Sequence, residues 1–457
     1  MPANTKRVFY VRYLAHSIFA ELLGARADIR LDRLENESPE RVVTAVLAAA
    51  HAFQIGAARD ELSRTYHVDK ALLQRTPNLL IVSSNGAGYD TADVPACTEA
   101  GVLVLNQSGG NRQSVAEHVL AMLLALSKRI IETDRIMRRK EGMDRNAFLG
   151  TESHGKTIGI VGLGNVGSRV AELCRGVLDM RVLAYDPYLS AEEMERRGAE
   201  KVELDVLLSH ADFVSINCPL TEETRGMIGA RQFALMRRSA LFITTSRGFI
   251  HDEDALLEAL RAGKIAGAGL DVWAKEPPPT DHPLLQLDNV LVSPHMAGVT
   301  REARANMGRI AAEQLINALD GKPPPRIVNP QVWPLYACRF EQTLRDQADR
   351  TLAQAHLGCG ASQWNRAAAR AFFRQAVRSL VATGHLGARD RWIPAGPIAF
   401  FRTAMTYHAS ANRGCSGRPR MSKNRAWLMI ALTLSAWNGL VMRNVGSGRV
   451  PVSSRCG

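Results

Sequence analysis

The stretch Thr157–Gly167, TIGIVGLGNVG, constrains the chain most. Five β-branched or apolar positions predict a buried strand, and the glycines that follow predict a tight turn into a helix. Gly162, Gly164 and Gly167 stand in G-x-G-x-x-G register, and Asp186 follows 19 residues after the last of them, in RVLAYD. Strand, turn, helix and acid at these spacings form a dinucleotide-binding fingerprint. Gly162 permits the turn, Gly164 lets backbone approach a pyrophosphate, and Gly167 lets helix and strand pack closely. The amides around Asn165 and Val166 would meet phosphates at a helix N-terminus, where the dipole favours negative charge.

The pattern around this stretch is α/β. Before it, strands are expected at Lys6–Val11, Ala52–Gly56, Leu79–Ser84 and Val102–Leu105, with helices between at Ser17–Leu23, Pro39–Ala50, Val68–Leu73 and Ala92–Ala100. A long helix over Asn111–Ile130, with a capping box at Ser114–Glu117, is expected to carry the chain into a second domain. It holds His118, read as a packed, hydrogen-bonded histidine. Six apolar strands follow, at Thr157–Leu163, Arg181–Asp186, Phe213–Asn217, Ala240–Thr245, Gly267–Val272 and Val290–Pro294, mostly separated by helical segments. This predicts a doubly wound parallel sheet whose ligands bind beyond the strands' carboxyl ends.

The residues at those ends suggest a reaction. Asp186 is placed to accept both ribose hydroxyls and would repel a 2′-phosphate, which favours NAD over NADP. Thr245 and Arg247 follow the fourth strand, Asp271 and Glu276 the fifth, and His295 and Gly298 the sixth. Hydride exchange between a 2-hydroxy acid and a nicotinamide needs a cation for the carboxylate and carbonyl, and Arg247 can bind a carboxylate bidentately. It needs a proton donor and acceptor, for which His295 is suited, and a carboxylate to orient that imidazole, for which Glu276 is the candidate. Taken singly, Arg247 reads equally as a surface ion pair, His295 as a turn histidine and Glu276 as a solvated loop acid. Placement at successive strand ends favours the joint reading. The glycine loop SNGAGYD at Ser84–Asp90 reads either as an anion-binding set of amides or as an ordinary turn.

These segments together resemble the D-isomer-specific 2-hydroxyacid dehydrogenases. The similar stretches are SSNGAGYDTAD, NRQSVAEHVLAMLLAL, TIGIVGLGNVGSRVAELCRG, AYDPYLS, NCPLTEETRGMIG, TTSRGFIHDEDAL, AGAGLDVWAKEPP and VSPHMAGVT, in the family's order. The resemblance implies a catalytic triad of Arg247, Glu276 and His295. It implies cofactor contacts at Gly162, Gly164, Asn165, Val166, Gly167, Asp186, Thr245, Arg247, Asp271, His295 and Gly298, with NAD as cofactor and no metal. The loop Asn85, Gly86, Ala87, Gly88 resembles the one whose amides hold the substrate carboxylate, with Arg247. The implied fold is a Rossmann-type domain, residues 107–299, inserted in a flavodoxin-like substrate domain, residues 1–106 and 300–335. Thr300–Leu319 then reads as a returning helix and KPPPRIVNP as a closing extended segment. A homodimer through the cofactor domains is also implied. The motifs lean towards phosphoglycerate dehydrogenase-like members, and Arg59 reads either as a contact for a substrate phosphate or second carboxylate or as a surface arginine. NAD-sensing co-repressors share the fold and a similar triad, so a non-enzymatic interaction protein is the alternative.

A net charge of +12 at first suggests a nucleic-acid or membrane partner. However, residues 338–457 hold 18 basic and 4 acidic residues, while the rest hold 39 and 41. The excess lies in a basic extension, so no nucleic acid or membrane is expected from residues 1–337. The extension reads as a polyanion-binding appendage, a weak membrane anchor through Trp427–Met442, or an out-of-frame segment without an evolved fold. Its composition favours the last, an irregular or disordered tail. Seven cysteines without a C-x-x-C suggest neither a disulfide framework nor a zinc site. The N-terminus reads as an opening strand rather than a signal peptide, so a cytoplasmic protein is expected.

Overall fold

A computed structural model describes residues 5–57, 62–139 and 144–343. Arg59 and residues 344–457, with the readings attached to them, lie outside the described residues.

The chain first builds a five-stranded parallel sheet from β1 (Lys6–Val11), β2 (Ile29–Leu34), β3 (Ala52–Ile55), β4 (Ile81–Ser84) and β5 (Leu103–Leu105). Helices α1 (Ile18–Gly24), α2 (Glu40–Ala49), α3 (Lys70–Arg75) and α4 (Val94–Glu99) make the crossovers. The strand order is β2-β1-β3-β4-β5, the flavodoxin-like order. β3 and β4 are buried along their whole length, as expected of central strands covered on both faces.

A seven-stranded parallel sheet follows: β6 (Thr157–Val161), β7 (Arg181–Tyr185), β8 (Glu200–Lys201), β9 (Phe213–Ile216), β10 (Leu241–Thr244), β11 (Gly267–Leu270) and β12 (Val290–Val292). Its order is β12-β11-β10-β9-β6-β7-β8. The order reverses direction at β6, between β7 and β9, which is the switch point where such sheets bind dinucleotides. Helices α5 (Arg112–Ser127), α6 (Ile130–Arg139), α7 (Asn165–Leu178), α8 (Ala191–Arg196), α9 (Leu204–His210), α10 (Ala230–Leu235) and α11 (Glu253–Arg261) belong to this part of the chain. α5 and α7 contribute to the apolar core on one face, α9, α10 and α11 to that on the other.

The last long helix, α12 (Arg301–Leu319), returns to the first sheet, where Ala311, Ala312 and Leu315 join Phe19 and Leu23 of α1 in one core. Thr300 caps it, accepting from Ala303 N at 3.1 Å. The segment after it closes on β5: Ile327 bridges Leu105 antiparallel, and buried Asn329 accepts from Val104 N and donates to Val102 O.

Several expectations need correction. The long helix over Asn111–Ile130 is two helices: α5 ends at Ser127, and Arg129 turns the chain with φ +53°. Ser114 forms no capping box, because α5 begins at Arg112 and the Ser114 hydroxyl donates to Ala297 O across the structure. β2 and the two-residue β8 add strands the sequence reading lacked. The end expected for the first domain at 335 falls inside a helix over 333–343, whose Tyr336 is fully buried and donates to Ala318 O of α12 at 2.6 Å. Among the described residues no helix is long and apolar enough to cross a membrane.

Candidate active site

A cleft of about 630 Å³ lies at the carboxyl ends of both sheets. Loops after β1, β3, β4 and β5 line it from one sheet, and loops after β6, β9, β10, β11 and β12 from the other. Arg304 and Met307 of α12 complete it.

At β6 the glycine turn has the geometry its spacing predicts. Gly162 has φ +89°, and Gly167 packs so close that a Cβ would overlap the Gly162 carbonyl oxygen. At Gly164, nothing lies within 4 Å of where a Cβ would be. The three glycines thus answer different constraints: conformation, packing, and open space in front of the helix N-terminus. The amides of Asn165 and Val166 open α7 and have no partner within the helix. The Asn165 side chain reaches across to Ser108 Oγ at 2.9 Å. Asp186 ends β7, outside the cleft lining, with its carboxylate accepting from Leu163 N at 3.0 Å and Tyr188 N at 3.1 Å. Arg197 reaches the same loop, donating to Leu163 O at 2.6 Å while paired with Glu193.

The glycine loop after β4 divides its polar groups. Asn85 N donates to Ile55 O, and Gly86 N to the buried Gln107 Oε1 at 2.6 Å, so these two amides are occupied. The loop carbonyls are held as well, Ala87 O by Asn106 and Gly88 O by Ser84. The Ala87 and Gly88 amides have no acceptor among the described residues. The anion-binding capacity expected of Asn85–Gly88 thus rests in the main chain on two amides rather than four.

His295 follows β12 in the left-handed region, with φ +56°. Its Nδ1 lies 2.8 Å from Glu276 Oε2, and Glu276 Oε1 accepts from Trp273 N at 3.1 Å. Burial disfavours the imidazolium and Arg247 opposes it, but the hydrogen bond and charge of Glu276 outweigh both. The His295 pKa is therefore raised. Burial likewise pushes the Glu276 carboxyl up, yet bonding to His295 leaves it net lowered. Each partner holds the other in its charged form.

Asp271 is fully buried at the end of β11, and its carboxylate serves the loop that carries His295. Oδ1 accepts from Ser293 Oγ at 2.6 Å and Met296 N at 2.7 Å, Oδ2 from Ala297 N at 2.9 Å. His118 Nε2 lies 3.0 Å from Ser293 Oγ, a hydrogen-bonded histidine as the sequence suggested. Thr245 and Gly298 line the cleft, and a Cβ on Gly298 would fall 2.6 Å from Asn111 Nδ2. Arg247 lines it too, but two of its nitrogens are engaged: Nε with Asp90 Oδ2 at 3.1 Å and Nη1 with Ser246 O at 2.8 Å. The Nε side of the guanidinium fork is thus taken by Asp90 in this arrangement.

Sequence reasoning missed Tyr13, Asp90, Arg304 and Met307 as cleft residues. Asp90 was visible in the SNGAGYD loop, but no local signal marks the others, which the fold brings in from the first strand and last helix.

A dinucleotide-binding sheet joined to a second α/β sheet, with His295, held by Glu276, and Arg247 on one cleft, supplies the groups that nicotinamide-dependent hydride exchange needs. Residues 120–297 match the model of the D-isomer specific 2-hydroxyacid dehydrogenase NAD-binding domain. A glyoxylate reductase of Korarchaeum cryptofilum is 41% identical over 268 residues, 58% of this chain and 80% of that protein. A D-3-phosphoglycerate dehydrogenase of Archaeoglobus fulgidus is 46% identical over 263 residues, 57% of this chain but 49% of that protein. The chain thus spans about half the length of that dehydrogenase. Among solved structures, D-lactate dehydrogenase from Aquifex aeolicus, complexed with NAD and lactic acid, superposes with a TM-score of 0.60 at 27% identity, covering 70% of this chain and 98% of that one. The chain belongs to the D-isomer-specific 2-hydroxyacid dehydrogenase family.

Proposed function

We propose that the protein is an NAD-dependent dehydrogenase interconverting a D-2-hydroxy acid and its 2-keto acid. The observation that carries this is the His295–Glu276 pair at 2.8 Å on the same cleft as Arg247 and the open amides of Ala87 and Gly88. Residues 107–299 serve as the cofactor domain, and residues 1–106 with 300–343 as the substrate domain.

The residues fit the cofactor. The open space before Gly164 and the α7 amides suit a pyrophosphate, and Asp186 suits ribose hydroxyls while repelling a 2′-phosphate. Gly162, Gly167, Thr245, Asp271 and Gly298 shape the rest. Bound nicotinamide supplies or accepts the hydride. The chain's own groups do the remainder. Arg247 and the two amides bind the substrate carboxylate, and Arg247 polarises the reacting carbonyl. His295 gives a proton to the carbonyl oxygen in reduction and takes it back in oxidation. Glu276 keeps the imidazole oriented and favours its protonated form. Water exclusion falls to closure of the cleft.

Both phosphoglycerate dehydrogenases and glyoxylate reductases are among the relatives, so the substrate is a short 2-keto acid with or without a second anionic group. A homodimer through the cofactor domain is supported by α6, none of whose residues is buried.

A panel of 2-keto acids with NADH and NADPH tests the reading. Turnover with NADH is expected, and His295→Ala should lower it about 10²–10⁴-fold with NADH binding retained. NADH binding without turnover on any keto acid would overturn it.

A further inference from the structure

The ion pair that spans the cleft has a role beyond holding two loops together. Asp90 follows β4 and Arg247 follows β10, so their 3.1 Å contact joins the two sheets. At side-chain exposures of 36% and 26% the pair is screened by solvent and adds little stability. It does fix an orientation. A guanidinium is a rigid planar fork with five N–H donors. Holding Nε on Asp90 and Nη1 on Ser246 O leaves Nη2 as the nitrogen without a partner among the described residues. Nη2 lies against Gly88, so close that a Cβ there would overlap it. Gly88 carries one of the two amides that have no acceptor among the described residues.

We propose that Asp90 is a positioning residue, whose carboxylate holds the Arg247 guanidinium so that Nη2 converges with the Ala87 and Gly88 amides on one substrate anion. This rests on the role given to Arg247 above. Without Asp90, the Nε–Nη2 edge is free to grip the carboxylate bidentately. The substrate is then held as well or better, but away from the geometry the carbonyl needs, and misplacement of about 1 Å costs up to ~10²-fold in rate.

The test is a double-mutant cycle on the full chain, read with the best 2-keto acid of the panel and with NADH binding followed by fluorescence. Asp90→Ala should lower kcat about tenfold or more with KM unchanged or lower, and Asp90→Asn, which keeps an acceptor, should fall between it and wild type. In an Arg247→Lys background, where no planar fork remains to be oriented, either change should cost under about twofold. NADH affinity should stay within about twofold throughout. Equal losses in both backgrounds, or a raised KM at unchanged kcat, would overturn the role of Asp90 while leaving that of Arg247 standing. Full turnover in Arg247→Lys alone would overturn both. Should Asp90→Ala fail to fold, Asp90→Asn carries the same comparison.

Discussion

At the scale of single residues, His295 is held by its neighbours rather than by its own preference. A non-glycine residue at φ +56° is uncommon, and the buried Asp271 carboxylate sustains the turn by accepting three donors from it. Glu276 then sets the charge. Because Glu276 raises the His295 pKa against burial, Glu276→Gln should lower it. The alkaline limb of keto-acid reduction and the acid limb of hydroxy-acid oxidation should both move to lower pH, read as kcat/KM against pH. Stability follows the same pair. A raised histidine pKa stabilises fully below its unfolded value, near 6.5, and the gain is lost as pH rises through the folded pKa. A lowered carboxyl pKa stabilises above its unfolded value, near 4.5, and that gain is lost as pH falls through the folded one. The loss of melting temperature in Glu276→Gln should therefore be greatest between these two values. An unshifted pH profile would show that Glu276 does not tune the imidazole.

At the scale of elements, the β6–turn–α7 unit separates packing from binding. Gly167→Ala drives a Cβ into the Gly162 carbonyl, so the turn must shift, at a cost of roughly 1–3 kcal/mol, and NADH affinity falls with it. Gly164→Ala meets no protein atom within 4 Å. It should leave stability within about 0.5 kcal/mol, yet weaken NADH about tenfold, equivalent to ~1.4 kcal/mol. Denaturant titration and NADH titration of the two variants distinguish them; equal NADH affinity in Gly164→Ala and wild type would place the pyrophosphate elsewhere. The same unit shows what a sequence makes legible. β6, α7 and Asp186 were readable because a buried run, a glycine spacing and an acid are all local. β2 was not, because its IRLDRL carries alternating charges and its place as an edge strand rests on distant partners, such as Arg7 with Asp32 at 2.7 Å. The break after Ser127 was hidden for a similar reason. Apolar periodicity runs through it, while the reversal at Arg129 is held by contacts to Glu132 and Ala147 O. Of the site, the strand-end residues were visible; the division of the glycine loop into occupied and open amides depended on Gln107 and could not be read locally.

At the scale of the whole molecule, the two sheets meet at one cleft, and α6 packs on α5 at the periphery, where Arg135 reaches Asp288. None of its residues is buried, and Ile130 and Met137, 52% and 73% exposed, are seven positions apart and so share one face. Leu149, also 73% exposed, follows in the same part of the chain. The homodimer proposed above would cover this face, because a two-fold axis lets one face pair with itself. A stable interface of this kind buries about 1,200–2,000 Å² in total, so a charge introduced near its centre should be decisive. Sedimentation of the wild-type protein should give a dimer at micromolar concentration, and Met137→Glu should shift it to monomer with the cofactor turn intact and NADH still bound. A wild-type monomer under these conditions, or a dimer indifferent to Met137→Glu and Ile130→Glu together, would remove α6 as the contact.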